Sequence, residues 1–441
     1  MKSRLFVWCL MLLLVGAHFR SRGGQVENLQ ADWLVLTQLA VALLALALSM
    51  RSLFGTTPLG GRTKILFTFL FVAGLSAVTS EFTTKVIGYW LLLAGLVVLT
   101  ASLVREARTE KDLRRIETAW LVTTVLFVLK DAAVAFLGQN FQNPNDIARL
   151  GMGLTHANHL AFYAVLAFWL TFRKATRGTH ILLWAVRILL VLIILLTRSR
   201  TSIVCLLVGG MAHFWFEFAG KGLRRGLILR VSSATLLSGF AIAALAAVYF
   251  QFDWAMSLLN TFNRGEHPDS LATLSSARIY IWQNAWYRII ESPLAFLFGH
   301  GYAVSRSVLN DGSVSLRFFA AHSHNDFLEV FVNMGLLGAI CYLLIALHGA
   351  TWLTRFRILR SRFSLKFAAR AASVVVMFFL FSLTEVSFGN KIAPPLILFI
   401  FYFLSLDQQF IKRKAEPLPI GSSTRHRATQ PQRDHSYRKQ R

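Results

Sequence analysis

The sequence predicts an all-α polytopic membrane protein with about twelve transmembrane helices. Three observations predict it. Of 441 residues, 55% are hydrophobic and only 15% charged, with 37 Phe and 11 Trp. The apolar residues fall in runs close to the ~20 residues that a helix needs to cross a hydrocarbon core. The 46 Lys and Arg, which dominate a net charge of +25, cluster between alternate pairs of those runs. Backbone groups in lipid are satisfied only in helices or closed barrels, and these runs are far too long and too uniformly apolar for barrel strands.

The runs occupy 5–19, 32–50, 65–79, 86–104, 117–137, 159–172, 180–197, 202–217, 227–251, 327–347, 369–387 and 392–410. Lys2 and Arg4 precede the first, as in a signal peptide. No small-x-small cleavage site follows, so it reads as a retained helix. With the N-terminus inside, the basic loops at 105–115, 173–177, 221–225 and 355–366 and the tail all fall on the cytoplasmic side. That is the positive-inside pattern. The basicity reports topology, so membrane lipids are expected partners and no nucleic acid is. Residues 1–410 form the membrane domain. The tail 411–441 is polar, basic and rich in Ser, Thr, Pro and Gln, and is expected to be disordered in the cytoplasm. Cys9, Cys205 and Cys341 lie in apolar runs without metal-ligand spacing and read as packing residues.

Two predicted outer loops are long, 138–158 and 252–326, the second between runs nine and ten. Within the second, Ile279, Trp282, Trp286 and Ile289 fall on one face of a helix predicted over 276–292, with Pro293 ending it. A Trp-rich amphipathic helix suits the membrane interface and would hold Arg278 at headgroup level.

Polar residues gather at the predicted outer ends. His322-Ser-His324-Asn325-Asp326 opens run ten, with Gly335 and Gly338 inside it. Such groups at the mouth of a membrane helix are costly unless they have a task. With the helix starting near Asp326, Glu329 lies three residues on, as in a capping box with Asp in the Ser/Thr place. The positive end of the helix dipole disfavours an imidazolium, so a neutral His324 could accept a proton as a general base. The bland alternative is a His that caps its own helix. Arg198, Arg200 and Arg278 also fall on the outer side. Guanidinium groups bind phosphate through paired hydrogen bonds, and two or three match a diphosphate; the alternative is snorkelling. His156 and Asn158 open run six and suit either sugar hydroxyls or a helix cap, and His300 sits in the turn Phe298-Gly-His-Gly-Tyr302. No P-loop, outer Asp-x-Asp or Gly-x-Ser-x-Gly element is present. No ATP, metal or cofactor and no serine nucleophile is therefore expected.

The His324-Asn325-x9-Gly335-x-x-Gly338 block resembles the signature of the O-antigen ligase and polymerase superfamily. Ser199-Arg200 is similar to its Ser-Arg element. Ser276-Ala-Arg278-Ile-Tyr-Ile-Trp282, then Pro293 and Gly299-His-Gly301, is similar to its Arg-containing stretch, with a longer gap before Gly299 than in many members. The resemblance covers about 195–345 and is closest to the O-antigen ligase of lipopolysaccharide assembly. It implies a bacterial inner-membrane glycosyltransferase acting on the periplasmic face. The donor would be an undecaprenyl-diphosphate-linked glycan and the acceptor lipid A–core. His324 would activate the acceptor hydroxyl, and Arg200 and Arg278 would hold the diphosphate. Asn325, His322, Arg198, His156, Asn158 and His300 would bind substrate, and Gly335 and Gly338 would serve helix packing. A polymerase or a protein O-oligosaccharyltransferase of the same superfamily is the nearest rival. A transporter is the rival from another class, but polar residues crowd one face rather than the midplane.

Overall fold

Apolar runs separated by polar caps give thirteen helices in the computed structural model, which describes residues 33–53, 59–107, 109–137, 157–173, 177–197, 199–219, 278–310, 322–354, 364–388 and 394–415. No strand occurs among the described residues. The helices are α1 Trp33–Leu53, α2 Gly61–Leu75, α3 Thr83–Glu106, α4 Glu110–Leu137, α5 Ala157–Leu170, α6 Arg177–Leu196 and α7 Arg200–Ala219. After them come α8 Arg278–Ile289, α9 Pro293–Phe298, α10 Ser305–Leu309, α11 Asp326–Thr354, α12 Leu365–Ser382 and α13 Pro394–Ala415. Ten of these coincide with predicted apolar runs; the runs at 5–19 and 227–251 lie outside the described residues. So do most of the loop 252–326 and the tail beyond Ala415. By length and composition, four described helices can cross a membrane: Thr83–Glu106, Gly178–Leu196, Asp326–Ala350 and Leu365–Ser382. Ala157–Leu170 and Pro394–Ser405 are shorter apolar helices.

Local chemistry sets several boundaries. The Ser364 side chain caps α12 by accepting from the Phe367 N–H at 3.3 Å. Ser292 caps α9 in the same way, with Pro293 in the first turn, where its missing N–H is no loss. Thr109 and Asp112 form a reciprocal box ahead of α4: the Asp112 N–H donates to Thr109 Oγ1 and the Thr109 N–H to Asp112 Oδ2. At α11 the capping differs from expectation. Asn325 is the cap, its Oδ1 accepting from the Leu328 N–H at 3.1 Å. Glu329 does not close a box with Asp326. Its carboxylate accepts from the Ser323 N–H at 2.8 Å and from the Ser305 hydroxyl, tying α10 to the start of α11.

The helices pack chiefly as α7 along α12, α1 along α3, α11 against α2 and α9, and α5 against α6. Aromatic rings fill the centre: Phe378 and Phe399 stack at 4.4 Å, and Phe388 meets both edge-on. α8 packs on α11 through Ile281, Ala285 and Ile289, all buried. Of the predicted Trp-bearing face, Ile289 joins this seam. Trp282 and Trp286 stay half-exposed beside that seam, because the Trp282 indole N–H turns to the Ser323 carbonyl at 2.9 Å.

Polar groups mark the two ends of α12, which at 1.5 Å per residue lie about 27 Å apart, nearly the thickness of a hydrocarbon core. At its start, Glu117 binds Arg370 in a buried ion pair at 2.7 Å, and the Tyr402 hydroxyl donates to the same carboxylate. Glu110 accepts from Ser364 nearby, and Arg173 donates to Thr118. Just beyond the other end sits Glu385.

α11 breaks at Gly335, whose φ of 63° and ψ of −162° belong to glycine alone. A break leaves carbonyls of the preceding turn without helical donors. The 299–301 turn supplies two: the His300 N–H reaches the Val332 carbonyl at 3.0 Å and the Gly301 N–H the Asn333 carbonyl at 2.8 Å. Gly299, at φ 75° and ψ −169°, is the matching half of this contact. A Cβ on Gly335 would lie 2.3 Å from the Leu297 carbonyl carbon, and one on Gly299 would lie 2.4 Å from backbone at Asn333. A Cβ on Gly338 would meet Met334 of its own helix at 2.3 Å. Gly299 and Gly335 thus join a turn to a broken helix, backbone against backbone.

Candidate active site

Glu385 lies in the turn after α12 with its side chain fully buried. A buried carboxylate is tolerated only when its oxygens are satisfied. Here the partners come from three other elements. Asn158 Nδ2, at the start of α5, donates to Oε1 at 2.6 Å. Arg278 Nη2, at the start of α8, lies 3.2 Å from the same oxygen. His324 Nδ1, just before α11, lies 3.2 Å from Oε2, and His159 Nε2 lies 3.8 Å from it. Burial pushes the Glu385 carboxyl up, but the His324 hydrogen bond and the His159, His324 and His322 imidazoles outweigh it. The net effect holds the carboxyl well below the usual carboxylate range.

The turn carrying Glu385 is itself pinned. Asp326 Oδ1 accepts from the Ser387 and Phe388 N–H groups, each at 2.7 Å. The Tyr302 hydroxyl reaches the Phe388 carbonyl at 3.3 Å. Asp326 and Glu329 therefore serve as backbone anchors around the site.

His324 has φ 53°, one of two non-glycine residues with positive φ among the described residues. Strain of this kind persists only where surroundings over-determine it. The His324 N–H points to His322 Nδ1 at 3.3 Å, and the two rings lie 4.1 Å apart. Ionised Glu385 can only accept, so the shared proton belongs to His324 Nδ1 and Nε2 is left as the basic nitrogen. His324 is 22% exposed and Arg278 likewise, so both ride at the surface of the cluster over a dry carboxylate.

The structure brings together His324, Arg278, Asn158, His322 and, through its Nδ2 contact with the Leu383 carbonyl at 3.2 Å, Asn325. Arg200 begins α7 with an exposed side chain. Its neighbour Thr201 accepts from Thr384, adjacent to Glu385, at 3.1 Å, which sets the start of α7 beside the cluster. His300 belongs elsewhere, with Nε2 2.9 Å from the Arg288 carbonyl. His156 and Arg198 lie outside the described residues. Glu385 is the residue that sequence reasoning missed. An ionisable side chain inside the apolar run 369–387 was the available signal. His159, His322 and Glu385 present ligand atoms within 4.8 Å of one another, a group that could take a metal ion. The Arg278 guanidinium on the same carboxylate opposes a cation there.

A bundle of apolar helices thus carries a buried acid–imidazole–guanidinium cluster at one end. Residues 185–343 match the family model described as O-antigen ligase. No curated protein matches the chain. The matched segment contains Arg200, Arg278, His324, Gly299, Gly335 and Gly338; Glu385 and Asn158 lie outside it.

Proposed function

We propose that the protein is a periplasmic-facing O-antigen ligase of the bacterial inner membrane, moving a glycan from undecaprenyl diphosphate to lipid A–core. The observation that carries the reading is the His324–Glu385–Arg278 cluster, in which one buried carboxylate orients a base and a phosphate-binding group together. His324 Nε2 takes the proton of the acceptor hydroxyl while that oxygen bonds to the anomeric carbon. The bond from that carbon to the diphosphate oxygen breaks, and the electron pair leaves with the lipid diphosphate. Arg278 and Arg200 stabilise the charge developing there, the kind of interaction that lowers a barrier most. Direct displacement inverts the anomeric configuration. The donor is already activated, so neither ATP nor a metal is required. Sidedness follows from charge: the end of α12 opposite Glu385 borders the basic segments 105–115 and 355–366.

Deletion of the gene followed by a gel of the lipopolysaccharide tests the reading. Loss of the long-chain ladder with accumulated lipid-linked polymer is expected. Loss of the polymer itself would mark a polymerase instead.

A further inference from the structure

A second concave site lies away from Glu385. It is a cleft of about 690 Å³ between the α2–α3 turn and helices α8 and α9. Its size falls inside the range of small-ligand sites, ~300–1,000 Å³. Apolar side chains such as Leu75, Leu294 and Phe298 line part of it, and Phe82 adds an aromatic ring. The rest is polar: Thr79, Glu81, Arg288, Glu291 and His300.

Three features decide the ligand chemistry. First, the arginine of the cleft is already paired. Arg288 Nη1 is 3.2 Å from Glu291 Oε2, and His300 Nε2 is 4.0 Å from the same oxygen. Glu81 is offset by Lys85, whose Nζ lies 5.2 Å from the Phe82 ring centroid, so the cleft offers no net positive charge to a phosphate or carboxylate. Secondly, the lining alternates hydrogen-bonding groups with apolar and aromatic surface. That mixture matches the two kinds of surface on a sugar ring, its hydroxyl edge and its C–H face. Thirdly, the walls are fixed. Thr79 Oγ1 donates to the Gly299 carbonyl at 3.1 Å, and the 299–301 turn is bonded into the α11 break. Such preorganisation is what a weak polyhydroxyl ligand needs, because little ordering entropy remains to be lost on binding.

The cleft is also aligned with the reaction centre. Helix α8 carries Arg278 at one end, on Glu385, and Arg288 near the other, in the cleft. Ten residues of helix set these about 15 Å apart. An extended oligosaccharide can lie along α8 with its reacting end at His324.

We infer that this cleft is an oligosaccharide subsite that holds an uncharged stretch of glycan remote from the bond being made. The inference rests on the proposed glycosyl transfer for its role in the cell. Binding itself can be read independently of activity.

Saturation-transfer NMR on the full-length protein in nanodiscs tests it, with two probes: lipid-free core oligosaccharide, and lipid-free O-antigen repeat. Wild type should bind one of them, and which one assigns the cleft to acceptor or donor. Glu81→Gln/Glu291→Gln should weaken that binding at least tenfold. Leu294→Trp, which fills the cleft from an exposed position, should do the same at an unchanged Tm. In the transfer assay both variants should raise KM for the matching substrate with kcat nearly preserved, since the contact is made equally in ground and transition states. His324→Ala should bind the probe normally while losing transfer. Absence of binding of both probes to wild type would overturn the inference, as would undiminished binding by both cleft variants. Transfer by His324→Ala would instead sink the proposed reaction and leave the subsite standing.

Discussion

At the scale of single residues, Glu385 is where the account is most exposed to test. Glu385→Gln keeps the shape and the contact with Asn158 but removes the charge that fixes the His324 proton and pairs with Arg278. General acid–base catalysis contributes about 10²- to 10⁴-fold, and kcat should fall within that span. Stability should also depend on pH through this carboxyl. The folded carboxyl is held below its unfolded value, so its contribution is present above the ordinary carboxylate range and is lost as pH falls through the folded value. Wild-type Tm should therefore drop only in strong acid, and the Tm of Glu385→Gln should depend less on pH there. Arg278→Lys retains a cation for Glu385 but not a planar fork for phosphate. Its transfer rate should fall about 100- to 1000-fold. A loss of less than tenfold would reduce Arg278 to a structural partner of Glu385. His324, Arg278 and Asn158 were legible in the sequence as polar residues at predicted outer ends. The carboxylate that unites them was not, because it is brought to them only when α12 packs between α5, α7 and α11.

At the scale of elements, the backbone contact between the 299–301 turn and the α11 break carries a sharp expectation. Gly335→Ala forces a side chain into a glycine-only conformation, at about 1–3 kcal/mol before the collision with Leu297 is counted. Protein levels in the membrane should fall, and Gly299→Ala should match it. Because both substitutions break one contact, their effects should be less than additive. Normal levels for Gly335→Ala would contradict the fold at this point. The sequence placed Gly335 inside the helix, but spacing alone does not reveal a break; that requires the distant turn whose N–H groups meet the released carbonyls. The packing stripe of α8 was not legible for a similar reason. Periodicity identified a helix, yet the choice of buried stripe was made by packing of Ile281, Ala285 and Ile289 on α11. At the opposite end of the bundle, Glu117→Gln should cost roughly 3–5 kcal/mol by stranding Arg370. Transfer per folded molecule should stay unchanged, since the pair lies a helix length from Glu385.

At the scale of the whole molecule, the helical character and most helix positions followed from hydropathy, because lipid leaves the backbone few choices. Orientation across the membrane rests on charge asymmetry and is testable directly. A cysteine replacing Lys111 should resist an impermeant reagent in intact cells, and one replacing Glu291 should react. The reverse pattern would invert the topology and remove the active site from the periplasm. Transfer with purified donor and acceptor should survive EDTA and need no nucleotide. A strict requirement for a divalent cation would turn attention to His159, His322 and Glu385 as its ligands. The central claim is that His324, oriented by Glu385, removes the proton from the acceptor hydroxyl. The most direct measurement is the single-turnover transfer rate of purified His324→Gln on lipid-diphosphate donor and acceptor. The account predicts a loss of about 10²-fold or more at normal protein stability, since glutamine is polar but does not take the proton. Retention of most of the wild-type rate would contradict it.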